Sequence, residues 1–226
     1  MKLLGTVALV VGLAAGLVTI FGAVAGSALF LGCVLLVIVV VLLYVSSPKF
    51  AGFILTNTTC VTFEDAGKTA TTESSFQFVP LQEGISHQVW FADRDRVQNV
   101  SGKLDGSRID VSALSADGTC IANFGSQLRR FRRYEIARTT RFKPGMFDEP
   151  EEYYYFQPRR PMFRLALEIQ FPKDRLPISA RRVVRLGTDG VDRGQCEISQ
   201  GTVKWVKWFP SIGHQYWILW RWEPTS

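Results

Sequence analysis

From residue 3 to residue 45 the chain carries no charged side chain, an uninterrupted run of 43 positions. A transmembrane helix needs about 20 apolar residues to cross the hydrocarbon of a bilayer. One span would leave half the run unexplained, and two use it. The break between them is expected near residues 22–27, where Gly22, Ala23, Ala25, Gly26 and Ser27 crowd together. Closely spaced Gly and Ser permit a tight turn. A cleaved leader ending near Ala23-Val24-Ala25 is the rival, but the apolar run resumes at Ala28 and would still leave a span. Lys2 precedes the first expected span and Lys49 follows the second, while the turn is uncharged. The positive-inside rule then sets both termini on the cytoplasmic side. The expected fold class is therefore a membrane α-hairpin over residues 1–46, followed over 47–226 by an all-β domain, an antiparallel sandwich or barrel. The expected localisation is multi-pass, in the inner or plasma membrane, with the lipid bilayer as first partner.

Within the first expected span, Gly12 and Gly16 form a small-xxx-small pair that lets helix backbones approach closely. This predicts packing within the hairpin or between copies, and so a homo-oligomer or a membrane complex. The competing reading is ordinary membrane glycine.

Past residue 46 the patterning changes period. Phe163, Leu165, Leu167, Ile169 and Phe171 alternate with Arg164, Ala166, Glu168 and Gln170, between Pro161 and Pro172. Period two is the mark of a strand with one buried face. Similar short segments are expected at 50–56, 60–64, 75–80, 87–92, 108–114, 119–124, 152–157, 181–186, 202–208 and 215–222. Turn dipeptides such as Asp105-Gly106, Asp117-Gly118 and Asp189-Gly190 separate many of them. Residues 127–141 are ambiguous, with a short helix competing against strand-like alternation from Ile136.

Two clusters invite a functional reading. Between Arg129 and Lys143 lie seven cationic side chains against one acid, with Phe131, Tyr134 and Phe142 interleaved. Arginine forks bind phosphate in bidentate fashion and stack on aromatic planes. Arg129, Arg130, Arg132 and Arg133, with Phe131 and Tyr134 as stacking platforms, are the candidate phosphate-binding residues. An anionic lipid headgroup or a phosphorylated ligand such as a cyclic nucleotide is the expected partner, and nucleic acid is the least favoured. The bland alternative is a charged, solvated edge. The second cluster is aromatic: five of the six tryptophans fall in the last 22 residues. The segment 215–222 is apolar on both faces, which reads as a central buried strand, against the alternative of an interfacial belt.

Catalytic and metal signatures are missing. His87 and His214 have no ligand-spaced neighbours, and no C-x-x-C, H-E-x-x-H, G-x-S-x-G or glycine-rich phosphate loop occurs. No cofactor, no metal and no enzymatic activity are expected. The layout of an apolar hairpin with a small-residue first span, leading into a basic β domain, resembles the two-transmembrane β-strand effectors of bacterial cyclic-oligonucleotide anti-phage signalling. The resemblance implies a β domain that senses a cyclic oligonucleotide and membrane helices that cluster to disrupt the bilayer. It assigns no individual residue. The expectation is thus a membrane-anchored sensor or effector that oligomerises through its hairpin. The alternative is a non-catalytic accessory subunit of a larger membrane complex.

Overall fold

The computed structural model describes residues 52–222. The chain divides into two compact units, Met1–Phe50 and Ala51–Ser226, and the description below concerns the second. Its fourteen strands are β1 (Gly52–Glu64), β2 (Thr69–Pro80), β3 (His87–Phe91), β4 (Val97–Leu104), β5 (Ser107–Val111), β6 (Thr119–Asn123), β7 (Tyr134–Phe142), β8 (Glu151–Phe156), β9 (Met162–Gln170), β10 (Pro177–Leu186), β11 (Asp189–Gln195), β12 (Ile198–Ser199), β13 (Thr202–Trp208) and β14 (Gln215–Trp222). Ten form one sheet in the order β12-β13-β9-β1-β2-β7-β4-β5-β6-β3, and four form a second in the order β11-β10-β14-β8. All pairings are antiparallel except β1 with β9.

The two sheets share a core built from their alternating residues. From β14, Tyr216, Ile218, Trp220 and Trp222 are all buried, as period two requires of one face of a strand. They meet the large sheet edge-on: Trp220 and Trp222 stand 5.5 and 5.6 Å from Phe63 of β1. Both also pack on Phe171, just past β9, and Trp205 of β13 lies against Tyr216. T-shaped aromatic contacts at such spacings favour the ring quadrupoles and add to the area buried. Trp222 Nε1 satisfies its polar end by donating to the Phe147 carbonyl at 2.9 Å.

At its other end the large sheet rolls up. Trp90 of β3 reaches back over β4, so that a Cβ on Gly102 would stand 2.5 Å from the Trp90 ring. Only a residue without a side chain fits beneath that ring. Gly118, at φ +77, makes the turn into β6, and its carbonyl accepts from Ala92 N–H at 2.8 Å.

Several expectations are corrected. The fold class of an α-hairpin plus a β domain does not stand: the described residues are nearly all strand, and their one helical piece is the 3-10 turn Asp65–Gly67. No helix among the described residues is long and apolar enough to cross a membrane, so neither transmembrane helices nor a multi-pass membrane localisation is indicated. The hairpin over 1–46 and its candidates Gly12 and Gly16 lie outside the described residues. Hydropathy reports avoidance of water, and by itself it does not show a formed helix long enough to span. Within the β unit, the expected segments 50–56, of which residues 52–56 are described, and 60–64 fall in one strand of 13 residues, Gly52–Glu64, with a register shift between Ile54 and Thr56. The ambiguous stretch 127–141 forms strand from Tyr134 onward. Asp189-Gly190 opens β11 instead of making its turn.

Candidate functional site

Between the rolled end of the large sheet and β8 lies a groove of about 820 Å³. Its floor comes from β1, β2 and β7, including Asn57, Ser74, Arg138 and Thr140. One wall is β3 and the residue after it, His87 through Ala92 without a gap, and the other is β8 with its continuation, Tyr153 through Gln157. Side chains of a strand point alternately to opposite faces. A cavity wall that takes in every successive residue is therefore made by the edge of the strand, backbone included. Among the described residues β3 pairs only with β6, and β8 only with β14, so each wall is a sheet edge without a further strand among them.

Four arginines line the groove. Arg138, inside the sheet on β7, donates Nε to Thr140 Oγ1 at 3.0 Å, and its guanidinium carbon lies 5.7 Å from the Trp90 ring centre. Burial pulls its pKa below the ordinary arginine value, opposed by the neighbouring Tyr154. Arg159 and Arg160 sit between Pro158 and Pro161 in the connection from β8 to β9. Arg159 crosses to stack on Phe91 of β3 at 3.7 Å, and Arg160 lies 5.2 Å from the Phe78 ring centre. Burial also lowers the Arg160 pKa. Among the described residues none of these three makes an ion pair. Only Arg96 has an acidic partner, Glu152, at 3.7 Å, while donating to the Met146 carbonyl at 2.7 Å.

Other polar groups here also lack partners. Gln88 Oε1 and Trp90 Nε1 are buried without a hydrogen bond, a state that costs about 1–3 kcal/mol per group unless a ligand or water satisfies it. Burial pushes the Tyr154 phenol up to about 12, so it is protonated at neutral pH and remains a donor. The acids at the rim are Asp93 and Asp117, both at the β3 end.

Glu152 is 4% exposed, and desolvation raises its pKa above 4.5 although Glu149 N–H and Arg96 favour the charged form. A carboxyl whose folded pKa exceeds its unfolded value binds more protons when folded, so stability falls as pH rises through that interval. Glu152→Gln is expected to flatten this part of the profile. Urea melts from pH 4 to pH 7 check it, and an unchanged slope in the variant would remove the assignment.

The candidate arginines from the sequence sit elsewhere. None of Arg129, Arg130, Phe131, Arg132, Arg133 and Tyr134 lines the groove. They form the approach to β7, and their four arginines are exposed. Arg130 stacks on Phe131, which is 65% exposed, and Arg132 pairs with Asp105 at 3.7 Å. Tyr134 is a core residue whose hydroxyl accepts from Arg129 N–H at 2.7 Å, so its ring is no open platform. Arg96, which no sequence motif singled out, packs on Phe147 at 4.7 Å. The Pro-Arg-Arg-Pro run at 158–161, passed over in the sequence, holds two of the groove's cations on a stiffened connection. Among the described residues no group of three or more His, Cys, Asp or Glu is placed to hold a metal ion.

No protein-family model and no curated protein matches the chain, and neither comparison bears on the resemblance to two-transmembrane effectors. Among solved structures, an M1 zinc metallopeptidase from Deinococcus radiodurans is similar at 11% identity and a TM-score of 0.48, over 75% of this chain and 42% of that one. A putative nutrient binding protein from Legionella pneumophila gives 8% identity and 0.49, over 75% and 67%. Yeast LTA4 hydrolase gives 11% and 0.47, over 77% and 30%. This chain thus spans less than half the length of the peptidases it resembles, and likenesses at this level carry no argument about activity.

Proposed function

We propose that the β unit is a non-catalytic sensor domain whose groove binds an anionic ligand. The observation that carries this is the set of arginines Arg138, Arg159 and Arg160, held in one partly enclosed groove without a carboxylate partner. The guanidinium groups of Arg138 and Arg160 are partly removed from water, which is costly unless they are paired; a bound anion supplies the missing partner, and the exposed Arg159 adds charge at the rim. Charge-assisted hydrogen bonds to such groups contribute about 1.5–3 kcal/mol each. Aromatic rings along the groove serve the apolar surface of the ligand, as in most small-molecule sites.

The test is a panel of carboxylate, phosphate and sulfate compounds, with neutral and cationic controls, read by the thermal shift of the full chain. Anions are expected to raise the melting temperature of the parent. Arg138→Gln should weaken their binding about 10- to 100-fold, and the quadruple change of Arg129, Arg130, Arg132 and Arg133 to Gln should leave it unaltered. Hits restricted to neutral or cationic compounds, or indifferent to Arg138→Gln, would remove this reading.

A further inference from the structure

Strand β3 has the sequence His-Gln-Val-Trp-Phe, without charge or proline. Exposed sheet edges are normally blunted by charges, prolines, bulges or shortness, because their unpaired backbone invites another strand. Two other edges of this fold are protected in that way: β12 is two residues long, and β11 carries Asp189, Asp192 and Arg193. β3 is neither short nor charged.

Its hydrogen-bonding direction follows from the register. β3 runs antiparallel to β6 with His87 opposite Asn123 and Phe91 opposite Thr119. The same register continues at both ends, where Phe124 N–H donates to the Ser86 carbonyl and Ala92 N–H to the Gly118 carbonyl, each at 2.8 Å. In an antiparallel ladder bonded and non-bonded pairs alternate. Residues 86, 88, 90 and 92 therefore bond towards β6, and the N–H and C=O groups of His87, Val89 and Phe91 point the other way. Those three residues line the groove, and their outward backbone groups have no partner among the described residues. On the facing wall the same alternation applies to β8. Trp222 N–H donates to the Pro150 carbonyl in the β14 register, so Tyr153 and Tyr155 turn their backbone groups away from β14.

We infer that the groove's occupant is an extended acidic peptide segment of a partner protein, which adds to β3 as an antiparallel strand with β8 as the opposite wall. The inference rests on the anion-binding reading above and names its ligand class. A small anion would use the arginines and leave the outward row of β3 backbone donors and acceptors unmet, whereas a peptide strand answers both the arginines and that row. Strand addition draws affinity from main-chain hydrogen bonds and specificity from alternate side chains. Here the peptide residues facing inward, on the same side as Gln88 and Trp90, lie towards Arg138, so every second residue should be acidic. The residues between them bond to His87, Val89 and Phe91 and turn their side chains to solvent.

The probe is the peptide acetyl-(Glu-Thr)4-amide, measured against the full chain by fluorescence polarisation. In the inferred register Glu faces inward, and the Thr N–H groups face β3. N-methylation of the Thr residues should weaken binding at least about tenfold, and N-methylation of the Glu residues should matter much less. Arg138→Gln should also weaken the unmethylated peptide by about tenfold. If the Thr-methylated peptide binds as the parent does while Arg138→Gln still weakens both, the strand inference fails and the anion site stands. Failure of the peptide to bind, when small anions still stabilise the parent but not Arg138→Gln, has the same meaning. If neither peptide nor small anions bind, both readings fall together.

Discussion

Replacing Trp220 by alanine will cost the β unit about 3–5 kcal/mol of stability, the range for removing a large aromatic from a closed core. Trp220 is 1% exposed, and its ring meets Phe63, Phe171, Phe147 and Trp222 at centroid distances of 5.5, 5.6, 6.0 and 5.9 Å. These partners belong to both sheets and to the segment before β8, so no single element can move in to fill the void. Trp208, on the outer part of the same aromatic strip, is 60% exposed, and its change to alanine should stay within about 0.5 kcal/mol. Urea denaturation of the two variants makes the comparison. A similar small loss in both would mean that the sheets do not share the core described here.

The second large effect is expected at Gly102. A Cβ there would stand 2.5 Å from Cη2 of Trp90, closer than real side chains approach, and 3.1 Å from Cδ1 of Ile109, a tight contact. Gly102→Val must push the indole out of its site or spread β3 from β4. Overpacking of this kind costs about 1–3 kcal/mol. Because Trp90 carries the groove wall and lies against Arg138, anion binding should fall with stability. The cause can be isolated by pairing the change with Trp90→Leu, which removes the obstructing ring. In that background the added cost of Gly102→Val should fall sharply, a coupling that double-mutant analysis reads directly. Independent, additive losses would show that Gly102 is required for some other reason.

Much of the β unit was legible from local pattern. The alternation at 163–171 predicted β9, whose Leu165, Leu167 and Ile169 are all buried. The doubly apolar segment 215–222 reads as a central strand, and β14 does lie between β10 and β8. β4 and β11 escaped the reading because their apolar residues are sparse: β11 is exposed throughout and β4 includes Gly102. Strands of that kind are held by ladder hydrogen bonds to their neighbours, a relation that no local window of sequence contains.

The arginines make the same point for the site. Charge density drew attention to residues 129–133, where consecutive cations lie at the surface because that is where unpaired charge is least costly. Arg138 lay in the same basic stretch, with nothing local to separate it from the others. By itself the sequence determined the β class of residues beyond 52, most of the buried side of each clear strand, and turns such as Asp105-Gly106 and Asp117-Gly118. These follow from backbone geometry and period two alone. Only the tertiary structure decided that β3 rolls back over β4, that Arg138 meets Arg159 and Arg160 in one groove, and that His87, Val89 and Phe91 present their backbone to it. Those outcomes depend on register and sheet curvature, which are set by pairings between residues far apart in the chain.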